Sequence, residues 1–122
     1  MAPLSRFRTI VCVVGGIAAL LPSFTYPQPA GDMPAGKAVY ERLCVRCHGT
    51  GGWGDGPRAE DQPVPPANFH SPIVQGRSDE QLKTAIEFGL AFSSMHGWRG
   101  TLTDEQMRDV VAYIRFLTQR AR

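Results

Sequence analysis

The sequence predicts a small all-α fold of three to four helices joined by long glycine- and proline-rich loops. Three observations carry that prediction. The stretches Ser78-Asp79-Glu80-Gln81 and Thr103-Asp104-Glu105-Gln106 are capping-box signatures, each opening a run with helical apolar spacing. Ahead of them Ala35, Ala38, Val39, Leu43 and Cys47 recur at three- and four-residue steps, as on one face of a helix. No segment alternates as a half-buried strand would, and no internal repeat is present.

Taken in order, 122 residues leave room for one domain. Residues 1–8 hold Arg6 and Arg8 and no acid, and Thr9 to Leu21 are uncharged and mostly apolar. A positive start before a short apolar run reads as a secretory signal over residues 1–25. Those thirteen uncharged residues fall short of the roughly 20 that cross a bilayer as a helix. Neither Thr25 nor Ala30 offers a clean small-residue cleavage site, so an uncleaved membrane anchor is the alternative. Either way the remainder is expected in the periplasm. Beyond residue 30, eleven Lys/Arg balance eleven Asp/Glu, and the formal excess of two comes from Arg6 and Arg8. A neutral domain without a basic stripe argues against nucleic acid as a partner. Membrane contact is left to an uncleaved N-terminus.

Residues 26–33 have the Pro/Gly density of a linker, and the domain is expected over 34–122. Pro34 suits a first helical turn. Gly36 and Tyr40 lie four apart on that helix. An interior glycine costs about 1 kcal/mol relative to alanine, so close approach of another helix is expected at Gly36.

This helix leads into Cys44-Val45-Arg46-Cys47-His48. Two cysteines two residues apart with histidine next form the attachment sequence of a c-type haem. Residues i and i+3 project from one helix face, so both thiols reach the vinyl edge of one porphyrin. His48 is then the candidate proximal imidazole. A zinc site would want four ligands, and the chain's other thiol, Cys12, lies in the apolar N-terminal run. A thioredoxin-type redox pair would want a βαβ pattern. A chance match is the third alternative.

From Gly49 to Pro66, five glycines and four prolines make a loop. Glycine there suits backbone that approaches a flat cofactor closely. A ligating histidine needs its second ring nitrogen held by an acceptor, and a carbonyl within Pro63–Pro66 is the expected one. The helix opened by Ser78 places Leu82, Ala85 and Ile86 on one face and stops at Gly89. The one opened by Thr103 carries Met107, Val110, Val111, Ile114 and Leu117 on a stripe. Arg115, Arg120 and Arg122 near its end suit the helix dipole. Between them, Leu90 to Trp98 is a loop that includes Met95 and His96.

From about Pro34 to Thr118 the chain resembles the class I c-type cytochromes. The resemblance rests on Gly36-Lys37-Ala38-Val39-Tyr40, the Cys44–Gly49 motif, Gly54-Asp55-Gly56-Pro57, Pro66-Ala67-Asn68-Phe69, Met95, Leu102–Gln106 and Val111-Ala112-Tyr113-Ile114. The Gly54-Asp55-Gly56-Pro57 and Pro66-Ala67-Asn68-Phe69 segments look like a bacterial subgroup of small carriers and domains fused to oxidoreductases. Cytochromes of the c′ type carry their motif near the C-terminus, whereas here it opens the domain. The resemblance implies the small class I fold, one covalent haem c (heme), and Met95 as the iron's second axial ligand beside His48. The family usually has proline after that methionine, and here His96 stands instead. It also implies that the first and last helices cross, Gly36 and Tyr40 against Val110 and Tyr113.

The expected function is therefore single-electron transfer between redox partner proteins, with Cys44 and Cys47 binding the cofactor and His48 and Met95 the iron. No residue need act as acid, base or nucleophile, so the chain is not expected to be an enzyme. Two other readings stand beside this one. One is an electron-transfer subunit of a larger dehydrogenase or oxidase complex. The other is a haem ligand sensor in which Met95 is displaced.

Overall fold

The computed structural model describes residues 30–119; the proposed signal segment over 1–25 lies outside them, as do Arg120 and Arg122. Three longer helices and two single-turn ones follow in order: α1 Met33–Leu43, α2 Val45–His48, α3 Pro72–Gln75, α4 Asp79–Phe88 and α5 Asp104–Gln119. Among the described residues there is no strand, only isolated bridges at Gly89–His96 and Arg99–Leu102. None of these helices is long and apolar enough to cross a membrane.

The expected linker over 26–33 ends early. Asp32 caps α1, its side chain accepting from the Ala35 N–H at 2.9 Å, and Met33 is already helical. Both predicted capping boxes close in both directions. Ser78 Oγ accepts from Gln81 N–H while Gln81 Oε1 accepts from Ser78 N–H. Thr103 and Gln106 repeat the exchange. Gly89 ends α4 with φ 76°, a conformation that suits glycine.

The core is the contact of α1 with α5, completed by α4 and the loops. Tyr40 and Val110 are the most deeply buried side chains. The Tyr40 and Tyr113 rings meet edge to face at 5.2 Å. A Cβ on Gly36 would land on the Asp109 main-chain carbonyl. The glycine is thus the point at which the helix backbones touch, as the resemblance implied. Asp109, buried on the α5 stripe, accepts from the Asp32 N–H at 2.7 Å and so pins the start of α1 to the middle of α5.

The reading of the arginines needs correction. Arg115 does not serve the end of its own helix. Its guanidinium reaches Asp79 Oδ1 at 2.8 Å and the Arg77 carbonyl, tying α5 to the start of α4. Lys83 of α4 reinforces that junction through Asp104 at 2.6 Å.

Candidate haem site

Cys44 closes α1 and opens α2, donating its N–H to the Tyr40 carbonyl at 2.8 Å. Its own carbonyl accepts from both Cys47 N–H (3.2 Å) and His48 N–H (3.0 Å). One tight turn therefore brings Cys44, Cys47 and His48 together. Both cysteines are free thiols. Burial, with a smaller contribution from Cys47, pushes the Cys44 thiol up to about 11.

The glycine-rich loop folds back over this turn. Gly54, Gly56 and Arg58 donate their N–H groups to the carbonyls of His48, Cys47 and Arg46, at 3.0, 3.1 and 2.8 Å. A Cβ on Gly56 would meet the Arg46 and Val45 carbonyls at 2.6 Å. The close approach that selects glycine here is made to the motif's own backbone. Tyr40 fastens the same region from below, its hydroxyl donating to the Gly49 carbonyl at 2.7 Å.

His48 is partly buried, and burial lowers its pKa although the Ala67 bond opposes the shift. The neutral imidazole so favoured is the form that binds metal. Its Nδ1 lies 3.2 Å from the Ala67 carbonyl. The acceptor is thus Ala67, one residue past the Pro63–Pro66 span expected to provide it. A backbone carbonyl leaves no side-chain signal, so proximity to the proline run was the only guide. Sequence reasoning also missed the Phe69 ring, which stacks on His48 at 4.6 Å and 19°.

Met95 comes from a separate loop, partly buried and packed against the core. Its carbonyl accepts from Leu90 N–H at 2.9 Å and its N–H donates to Ser93 Oγ at 3.1 Å. His96 is exposed, with Nδ1 3.2 Å from the Gly97 carbonyl and its ring 4.4 Å from Trp98. Met107, by contrast, is core.

The profile of the family described as cytochrome C oxidase, cbb3-type, subunit III matches residues 31–114. The chain belongs to that family. It is a class I c-type cytochrome with covalently bound haem c, a domain type that implies electron transfer. A chain of the Kuenenia stuttgartiensis reducing HAO-like protein complex is 31% identical, with TM-score 0.62 over 73% of this chain. The cytochrome spans only 44% of that longer chain. Cytochrome c6 from the diatom Phaeodactylum tricornutum shares the fold at 22% identity and TM-score 0.54, covering 74% of this chain and 98% of its own. No curated protein matches significantly.

The donor set fits the cofactor. Two free thiols and an imidazole share one turn, and a thioether stands on another loop. Among the described residues no group of three or more His, Cys, Asp or Glu side chains gathers to hold a bare metal ion. The zinc alternative therefore finds no ligand set among the described residues.

Proposed function

We propose that Cys44 and Cys47 hold the haem through thioether bonds, that His48 and Met95 ligate its iron, and that the domain passes single electrons between redox partner proteins in the periplasm. The observation that carries this reading is the bond from His48 to Ala67. It occupies Nδ1, orients the ring and leaves Nε2 for the iron, one turn from both cysteines. The bound haem supplies one-electron exchange between ferric and ferrous iron, and a methionine thioether favours the reduced state. The protein's share is to fix the imidazole. His48 and Met95 would hold the iron, and with both bound no site would be left for substrate, so the domain would act as a carrier and not as an enzyme.

The test is the exported, haem-loaded protein. Mass spectrometry should show one added haem that acid-acetone does not extract. The ferric protein should show Met–iron charge-transfer absorption at neutral pH, and Met95→Ala should abolish it. A high-spin wild-type spectrum without that band would overturn the carrier reading in favour of a sensor with an open position.

A second reading, a fixed subunit of a larger redox assembly, is supported by the Kuenenia chain, in which the matching part is under half of a longer polypeptide. A free carrier should purify alone from its native source, and a subunit should come with its partner through gel filtration.

A further inference from the structure

His48 receives two things from the segment after the proline run: the Ala67 carbonyl on Nδ1 and the Phe69 ring against its face. Neither is useful unless that segment is held at a fixed distance from the turn that follows His48. Phe69 N–H donates to the Gly52 carbonyl at 2.8 Å. Further out, His70 Nε2 lies 2.8 Å from the Gly51 carbonyl. Since a carbonyl can only accept, His70 carries its proton on Nε2 and donates. The Trp53 indole lies flat on the His70 ring, with centroids 3.6 Å apart and planes 15° from parallel. Trp53 also folds back over Gly51, where an added Cβ would meet the indole at 2.7 Å. The indole therefore roofs the His70–Gly51 bond against competing water. Trp53 is itself half exposed, at 49%, and an exposed indole with no task in the core calls for a reason.

We propose that Trp53 and His70 are positioning residues for the haem iron, a surface latch that holds the 67–70 segment against the 49–54 turn and so sets the strength of the His48–Ala67 hydrogen bond. The inference rests on the reading of His48 as iron ligand. A stronger bond to Ala67 makes the imidazole a better electron donor and stabilises ferric iron. Loosening the latch weakens the bond and raises the reduction potential. The segment's other ties are the Phe69 N–H bond to the Gly52 carbonyl, which the latch backs one residue further out, and the bonds from His70 N–H to the Asn68 carboxamide oxygen and from Gln75 Nε2 to the Phe69 carbonyl. The last two hold the segment to itself and to α3, while Phe69–Gly52 shares the latch's task.

The experiment compares the haem-loaded wild type with His70→Phe, which keeps a ring on Trp53 but loses the donor, with Trp53→Ala, and with His70→Gln, which keeps a donor. Reduction potential, the shifted His48 ring-proton resonances of the ferric protein, and melting temperature are read for each. His70→Phe and Trp53→Ala should both raise the potential and move the His48 resonances, and His70→Gln should return towards wild type. A tenfold shift in the equilibrium with a one-electron partner would read as about 59 mV. Melting temperatures that fall while all potentials coincide with the wild type would overturn the latch as a tuning device. Should His70→Phe fail to mature, Trp53→Ala and the milder Trp53→Phe decide alone, with the smaller effect expected from the latter. A wild-type ferric protein lacking His48 ring resonances would overturn the ligand assignment and the latch together, which separates that failure from the first.

Discussion

The segment that bears His48 and the segment that bears Met95 are held by opposite means. Around His48, three consecutive carbonyls are taken by the returning glycine loop, and the ring is fixed by Ala67 and Phe69. The loop returns from just after the motif, Ala67 reaches back across 19 positions, and the packing is so close that Gly56 has no room for a side chain. Around Met95 the loop is anchored at its ends, Trp98 N–H donating to the Ile86 carbonyl and Gly89 bridging His96. Its tip is stitched only to itself. There Phe92 sits at φ 61° with its ring fully exposed. Few long-range contacts mean a low cost of local opening. The difference teaches that one proposed iron ligand is built into the scaffold and the other rides on a loop, so we expect ligand exchange on the Met95 side.

The largest effects are expected where the scaffold is tightest. Gly56→Val drives a branched side chain into the Arg46 and Val45 carbonyls and should cost at least about 1–3 kcal/mol, with poor haem incorporation. Gly36→Leu should cost as much at the helix crossing, despite leucine's better helix propensity. A rise in melting temperature for either would show that the rigid side is placed wrongly. Met95→Ala attacks the other side. It should abolish the charge-transfer band and lower the potential while the fold survives, because the residue is only partly buried. Global unfolding of that variant would erase the contrast.

Tyr40 ties the rigid side to pH. Burial first, then Cys44, Tyr113 and Asp55 around it, raise its folded pKa above that of the unfolded chain. A raised pKa means the neutral phenol stabilises the fold fully below about pH 10, and that contribution is lost as pH climbs towards the folded value. Wild-type denaturation midpoints should therefore fall above that pH. Tyr40→Phe, which lacks the ionisation and the Gly49 bond, should start lower and decline less. Parallel curves for the two proteins would detach Tyr40 from the effect.

The smallest changes belong to the Met95 loop. Phe92→Gly relieves a left-handed conformation that costs a side chain about 1–2 kcal/mol and loses no packing, so a gain of under about 1 kcal/mol is expected after glycine's own entropy. His96→Pro should keep the Met–iron band and carry it to higher pH, since proline restricts the loop. Loss of stability in Phe92→Gly would mean the exposed ring is covered in the mature protein.

Much of the fold was legible because side chains announced it. The capping boxes at Ser78 and Thr103, the stripe on α5 and the lone glycine at position 36 each carry a local physical reason. So did the haem motif and the methionine loop as candidates. What stayed hidden was carried by backbone or by unlike residues meeting across long separations. Ala67 acts through a carbonyl that any residue would supply. Asp109 interrupts an apolar stripe because the Asp32 amide, 77 positions away, needs an acceptor. Trp53 and His70 share no pattern until the loops close, and α3 is a single turn whose Ser71 cap is too short a signal against its flanking loop.

The meeting of α1 with α5 also sets a timetable. Closing a loop costs entropy before any contact repays it, although that cost grows only slowly with length, and high separation between partners slows folding. A chain made from its N-terminus first displays Cys44 to His48 long before Val110 and Tyr113 exist to pack on Tyr40. For that interval the motif is an accessible peptide and not part of a domain. We expect this connectivity to keep Cys44 and Cys47 accessible for haem attachment until α5 arrives to pack on α1.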